Sequence, residues 1–148
     1  MSDEERRAFY EELWAEPGFA FWLGNFNDIM SDLAANETVA QFVREKIRER
    51  INDPEVAAML TPTDHAFGTK RIPLESGYYE AYNQDNVKLI DLKATPIERI
   101  TATGIQTIDA QYTFDLIIFA TGFDAATGAQ KRINIRGAFK ICGRLKTR

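Results

Sequence analysis

The sequence predicts an incomplete α/β fold, in which a helical first part joins a partial sheet carrying a small β-meander. Three observations lead there. Apolar residues recur at helical spacing as far as Leu60, and short alternating runs bracketed by turn residues follow Thr61. The run Asp115 to Thr121, DLIIFAT, is apolar on both faces, as a central parallel strand covered on each side would be.

The helical part begins with Ser2 and Glu5 at capping-box spacing, followed by the apolar positions Phe9, Leu13 and Trp14. Pro17-Gly18 ends this helix. A second helix is predicted from Phe19, with Trp22, Phe26, Ile29, Met30 and Leu33 on one face. Asn36 is read as the cap of a third, whose stripe is Val39, Phe42, Val43, Ile47 and Ile51. Asp53-Pro54, a cap followed by proline at the first helical position, opens a short fourth helix to Leu60. The aromatic residues of this part are read as core rather than cofactor contacts.

Beyond Thr61 a loop runs through Tyr78 and Tyr79 to the apolar stretch Val87 to Leu92, read as a short buried strand. The turn Thr101-Ala102-Thr103-Gly104 separates two alternating strands, Ile97 to Ile100 and Ile105 to Thr107, and a further turn falls at Asp109-Ala110. A strand, a small meander and another strand, in that order, are typical of nucleotide-binding α/β domains. Two such strands cannot make a doubly wound sheet, so the expected sheet is partial. The one expected domain boundary lies near Thr61.

Composition narrows the class. With 45% hydrophobic and 27% charged residues in 148, the chain has the balance of a globular protein rather than a disordered one. No apolar run approaches the ~20 residues of a membrane helix. The start, MSDEERR, has no apolar stretch behind its charges, and Cys142 is a lone cysteine, so a reducing cytoplasmic setting is expected. A single histidine and a single cysteine exclude an ordinary structural zinc site, and no metal is expected. Residues 138–148 form a tail within the basic stretch 131–148, which holds Lys131, Arg132, Arg136, Lys140, Arg144, Lys146 and Arg148 and no acid. That stretch has only Phe139 as an aromatic and carries no docking motif, so neither a nucleic acid nor a membrane is expected as a partner.

Two segments carry chemistry. After the apolar run, Ala120-Thr121-Gly122 would let the backbone pass close to a bound cofactor, because Gly122 has no Cβ in the way. Ligands of open α/β sheets sit at such strand ends. A plain strand-ending turn accounts for the same residues. In Phe67 to Leu74, FGTKRIPL, adjacent cations follow a glycine in a loop. The lysine suits a phosphate as a point charge, and the arginine's planar fork suits an oxyanion. Two solvated surface cations are the competing reading.

The blocks FGTKRIPLESGYYEAYNQDNVKLIDLKATPIERITATGIQT and DLIIFATGFDAATGA, in this order, resemble Baeyer–Villiger monooxygenases of the cyclohexanone and phenylacetone type, in the flavin-containing monooxygenase superfamily. EELW, the FNDIM region and REKIRERINDPEVAAMLTP resemble that family's helical insert within its NADPH domain. The resemblance covers roughly residues 2–137. It implies a fold consisting of the helical insert plus part of an FAD/NAD(P)-binding Rossmann-like domain. Residues 1–60 would be the helical subdomain, and 61–137 the C-terminal part of the NADPH-binding domain.

The resemblance further implies that Lys70, with Thr69 beside it, holds the 2′-phosphate of NADPH. Arg71 would be the active-site arginine that stabilises the flavin C4a-peroxide anion and the tetrahedral adduct formed with a ketone. Thr121 and Gly122 would lie where the cofactor domains meet. Asp124 belongs to the same motif without an assigned role, and His65 is read as a loop residue. The implied reaction uses FAD, NADPH and O2 to turn a ketone into an ester or lactone.

No two of the nine glycines are separated by a single residue, so no G-x-G-x-x-G loop occurs, whereas the family has two. The expectation is therefore an internal piece of such an enzyme, cut at both ends, inactive alone and binding no cofactor stably. Two alternatives stay open. One is a non-enzymatic interaction module or half of a split enzyme, meeting a complementary chain or itself through exposed strand edges. The other is a flavin monooxygenase that oxidises nitrogen or sulfur.

Overall fold

A computed structural model describes residues 1–70 and 72–122. Its contacts divide the chain after Pro96 into two units, which are taken in turn.

In the first unit, α1 (Asp3–Ala15) starts in the capping box expected from the sequence. The Ser2 amide donates to Glu5 Oε2 at 2.7 Å, and the Glu5 amide donates to Ser2 Oγ at 3.2 Å. The expected long second helix is broken into α2 (Ala20–Leu23) and a 3-10 turn over Asn27–Met30. Asn25 explains the break. Its Nδ2 donates to the Phe21 carbonyl and its Oδ1 accepts from the Phe26 amide, so the side chain competes with continued helical pairing.

Helix α3 (Leu33–Arg48) is capped by Asp32, whose carboxylate accepts from the Ala35 amide at 2.8 Å, and not by Asn36. Asn36 lies inside the helix and is buried, a correction that bears on the site below. Helix α4 (Pro54–Leu60) has the expected Asp53 cap and proline start.

These helices enclose two small cores. Tyr10, Ile29, Val39 and Phe42 form one, with Phe9, Phe21, Phe26 and Phe67 packed on it. Ile47, Ile51 and Ala57 form the other, with Val43, Val56, Leu60 and Tyr79 around it. The stripe read from α3 thus joins both. Arg7–Glu45 and Lys46–Glu11 ion pairs, at 2.7 and 2.8 Å, tie α1 to α3 along the solvent rim.

Residues beyond Thr61 return to the same unit. Arg50, at the end of α3, binds both Glu75 and Glu80 and lies over the Tyr79 ring, 5.0 Å from its centroid. Asn83 accepts from the Asn52 amide and donates to the Arg50 carbonyl, each at 2.8 Å. Val87 to Leu92, expected as a buried strand, pairs with no strand here, and Val87, Leu89 and Ile90 are only half-buried.

The second unit holds a three-stranded antiparallel sheet in the order β1 (Ile97–Thr101), β2 (Gly104–Thr107), β3 (Gln111–Thr113). The turn read at Ala102-Thr103 joins the first two, with Thr101 opposite Gly104. Gly104 also packs so closely on Tyr112 that an added Cβ would overlap its carbonyl oxygen. Strand β3 follows the Asp109-Ala110 turn and was not expected.

Asp115 to Thr121 contradicts its reading as a buried parallel strand, since it forms no strand and is largely exposed. The reason is physical: strand pairing is supplied by neighbours, and none of the described residues offers a parallel partner to this run. Among the described residues no helix is long and apolar enough to cross a membrane.

Candidate functional site

The segment Ala66 to Lys70 is held in place by Asn36. The Asn36 Nδ2 donates to the Phe67 carbonyl at 2.9 Å and to the Ile29 carbonyl at 2.7 Å. Its Oδ1 accepts from the Phe67 amide at 2.9 Å. One buried amide thereby pairs with both backbone groups of Phe67, as a neighbouring strand would. Each such bond is worth roughly 1 kcal/mol net, and more is lost when one partner is removed and the other stays buried. The Phe67 ring sits against the aromatic core, edge-on to Phe21 at 5.9 Å.

From this anchor the chain makes a tight turn. The Thr69 amide and hydroxyl both donate to the Ala66 carbonyl, at 3.2 and 2.7 Å. Gly68 has φ +78°, and a Cβ there would press on the Met30 sulfur at 3.1 Å. Glycine is therefore required on two counts, backbone conformation and space. The turn delivers Lys70 with its side chain 60% exposed, and its Nζ meets Asp64 Oδ2 at 3.1 Å. The other Asp64 oxygen meets His65 Nδ1. The His65 ring first, and the Lys70 ammonium second, hold the Asp64 carboxyl down at about 2.

Beside the turn lies a cavity of about 830 Å3, contained within the first unit. Trp14, Phe19, Trp22 and Phe67 are among its aromatic walls, and Arg44 and Lys70 are among its cations. Arg44 Nε donates to the Pro62 carbonyl at 2.9 Å and its Nη1 to Glu37 at 2.6 Å, so its charge is already engaged.

Of the residues singled out in the sequence, Thr69 and Lys70 share this one turn. Arg71 lies outside the described residues, as does Asp124. Thr121 and Gly122 belong to the second unit, where both are exposed and Gly122 has φ +77° with open space around a would-be Cβ. A glycine is thus needed there for the backbone conformation alone. Asn36 escaped the sequence reading as a positioning residue. Its signal was an amide on the apolar stripe of Val39 and Val43, where helix spacing turns it inward. Among the described residues no group of His, Cys, Asp and Glu could hold a metal ion.

Comparison with known proteins identifies the context. No family model matches the chain. The 2-oxo-Δ3-4,5,5-trimethylcyclopentenylacetyl-CoA monooxygenase of Pseudomonas putida is 52% identical over 137 residues, which is 93% of this chain and 25% of the relative. Cyclopentanone 1,2-monooxygenase of Comamonas sp. is 49% identical over 138 residues, again 25% of its length. A crystal structure of OTEMO with FAD and NADP superposes with a TM-score of 0.91 at 51% identity, covering 98% of this chain and 26% of that one. A phenazine N-monooxygenase of Lysobacter antibioticus is 42% identical over 139 residues.

The chain is therefore related to monooxygenases, over a stretch that spans about a quarter of their length. Within that class its relatives at 40 to 52% identity include Baeyer–Villiger monooxygenases, which confirms the resemblance read from the FGTKR and ATGFDA blocks.

Proposed function

We propose that this chain contributes the helical subdomain (residues 1–60) and the C-terminal part of the NADPH-binding, Rossmann-like domain (residues 61–137) to a Baeyer–Villiger-type monooxygenase. That enzyme uses FAD, NADPH and O2 to convert a ketone into an ester or lactone. The observation that carries the reading is the Asn36-clamped turn. It presents Thr69 and an exposed Lys70 from a rigid base, directly before Arg71 in the chain. An exposed ammonium paired with a surface carboxylate fits the phosphate of a dinucleotide, because a solvent-screened ion pair is weak and yields readily.

The residues divide the work by their chemistry. Lys70 supplies a mobile point charge toward the 2′-phosphate, with Thr69 bracing the turn below it. Arg71 keeps its charge at any physiological pH and stabilises negative charge developing on the reacting oxygen. Gly122, next to Thr121, leaves room for a cofactor to approach the backbone. Bound flavin supplies the oxygen-activating chemistry and NADPH the reducing equivalents.

The test is Arg71→Ala in the whole protein that contains this chain. Ester formation should fall by at least ~10²-fold, the scale of losing one preorganised charge, while reduction of the flavin by NADPH persists. Normal ester formation by the variant would overturn the assignment. The phenazine N-monooxygenase relative supports a second reading, oxidation of a ring nitrogen by the same segment. Product analysis with a cyclic ketone and a heteroaromatic amine side by side separates the two.

A further inference from the structure

Asp64 stands where it can govern how strongly Lys70 attracts an anion. Its two carboxylate oxygens are divided, Oδ1 toward His65 Nδ1 and Oδ2 toward Lys70 Nζ at 3.1 Å. Both partners of the Lys70–Asp64 pair are more than half exposed, 60% and 62%, so the pair is open to an arriving ligand. Asp64 and Lys70 lie on either side of the Asn36-clamped Phe67, whose backbone is fixed from both its amide and its carbonyl. The backbone that carries the carboxylate and the ammonium is therefore set by the folded turn, while the two side-chain ends stay in solvent.

A phosphate that docks on the Lys70 ammonium must come close to the Asp64 carboxylate. Two opposing effects follow. The carboxylate keeps the long lysine side chain in one place, and it also neutralises part of the lysine's charge while repelling the incoming dianion. For an exposed pair the positioning gain is small, because holding a flexible lysine costs about as much entropy as the contact returns. Repulsion acts on two negative charges of the ligand at once and dominates.

We propose that Asp64 is a specificity-determining residue that lowers the chain's preference for a 2′-phosphorylated over an unphosphorylated adenine nucleotide by competing for Lys70. The proposal rests on the reading of Lys70 as the 2′-phosphate partner. The carboxylate stays ionised at any pH where the enzyme would work, so the competition is always present. The effect of Asp64 on the nucleotide runs through Lys70.

The test is equilibrium binding of adenosine 2′,5′-bisphosphate and of 5′-AMP to the whole protein containing this chain, by calorimetry, for Asp64→Asn, Asp64→Glu and Lys70→Ala. Asp64→Asn should tighten the bisphosphate about three- to tenfold, the repulsion expected for charges some 6 Å apart in screened water, and leave 5′-AMP unchanged. Asp64→Glu should bind both nucleotides as the parent does. The Asp64→Asn gain should shrink as salt rises from 0.05 to about 0.5 M, a change a purely structural role would not produce. Unchanged or equally weakened binding of both nucleotides by Asp64→Asn, alongside a lost bisphosphate preference in Lys70→Ala, overturns the role of Asp64 alone. If Lys70→Ala keeps the bisphosphate preference, the reading of Lys70 fails and this inference fails with it.

Discussion

The two units of this chain solve the burial problem differently. In residues 1–96 part of the aromatic and aliphatic residues close into cores, where Tyr10, Ile29, Val39, Phe42 and Ile47 are all at most 5% exposed, while Leu23 and Leu33 stay in solvent. From Ile97 onward the described apolar residues largely do not. Ile100, Ile108, Leu116, Ile118 and Phe119 each remain more than half exposed. A three-stranded sheet needs a packed face to be stable by itself, and this one has no helix of its own among the described residues. The first unit therefore has the makings of an independent fold. The apolar surface of the second has the character of an interior that expects other segments against it.

Substitutions in the two units should accordingly differ most where each is apolar. Phe42→Ala should cost about 3–5 kcal/mol in chemical denaturation followed by circular dichroism, because it empties the centre of the first core. Leu116→Ala, 73% exposed, should change the same transition by less than ~0.5 kcal/mol. It should instead reduce concentration-dependent association of the purified chain, as seen by light scattering. Equal effects of the two substitutions on stability would dissolve the contrast.

Next in size is Asn36→Ala. It strips partners from Ile29 and both backbone groups of Phe67, and should destabilise the first unit by about 2–4 kcal/mol. Slow-exchanging amides in the sheet should be untouched. The complementary change, Gly104→Ala, forces β2 away from Tyr112 and should abolish exchange protection in β1 to β3 while the helices keep theirs, at about 1–3 kcal/mol. Hydrogen exchange read by mass spectrometry checks both.

The smallest effect is electrostatic. Arg50 donates hydrogen bonds to Glu75 and Glu80 and holds both carboxyls below the ordinary glutamate value of 4.5. Lowered folded values mean that this stability is present above pH 4.5 and disappears as pH falls through the lowered range. A pH series of melting temperatures should show a small loss below pH 4.5 that Arg50→Met removes, because the three side chains are a quarter to a half exposed and solvent screens them.

Local signals were legible in the sequence and non-local ones were not. The Ser2–Glu5 box, the Asp53-Pro54 start and the turn before Gly104 each depend on residues within a few positions, and all three appear as read. The apolar runs at Val87 and Asp115 have the pattern of strands, but a strand exists only with a partner, which periodicity does not report. Asn36 shows the same limit for the site. Its residue type suited a cap, while its function as a clamp depends on Phe67, 31 positions away. The FGTKR segment was visible as a cationic loop, and the resemblance, not its charge pattern, distinguished it from an ordinary surface.

We propose that this chain holds NADPH-domain residues and, having no glycine-rich loop, builds no flavin site by itself. The most direct test is a titration of the purified chain with FAD, followed by fluorescence, with a denatured control. No saturable binding is expected. Saturable, stoichiometric uptake of FAD by the folded chain would contradict it.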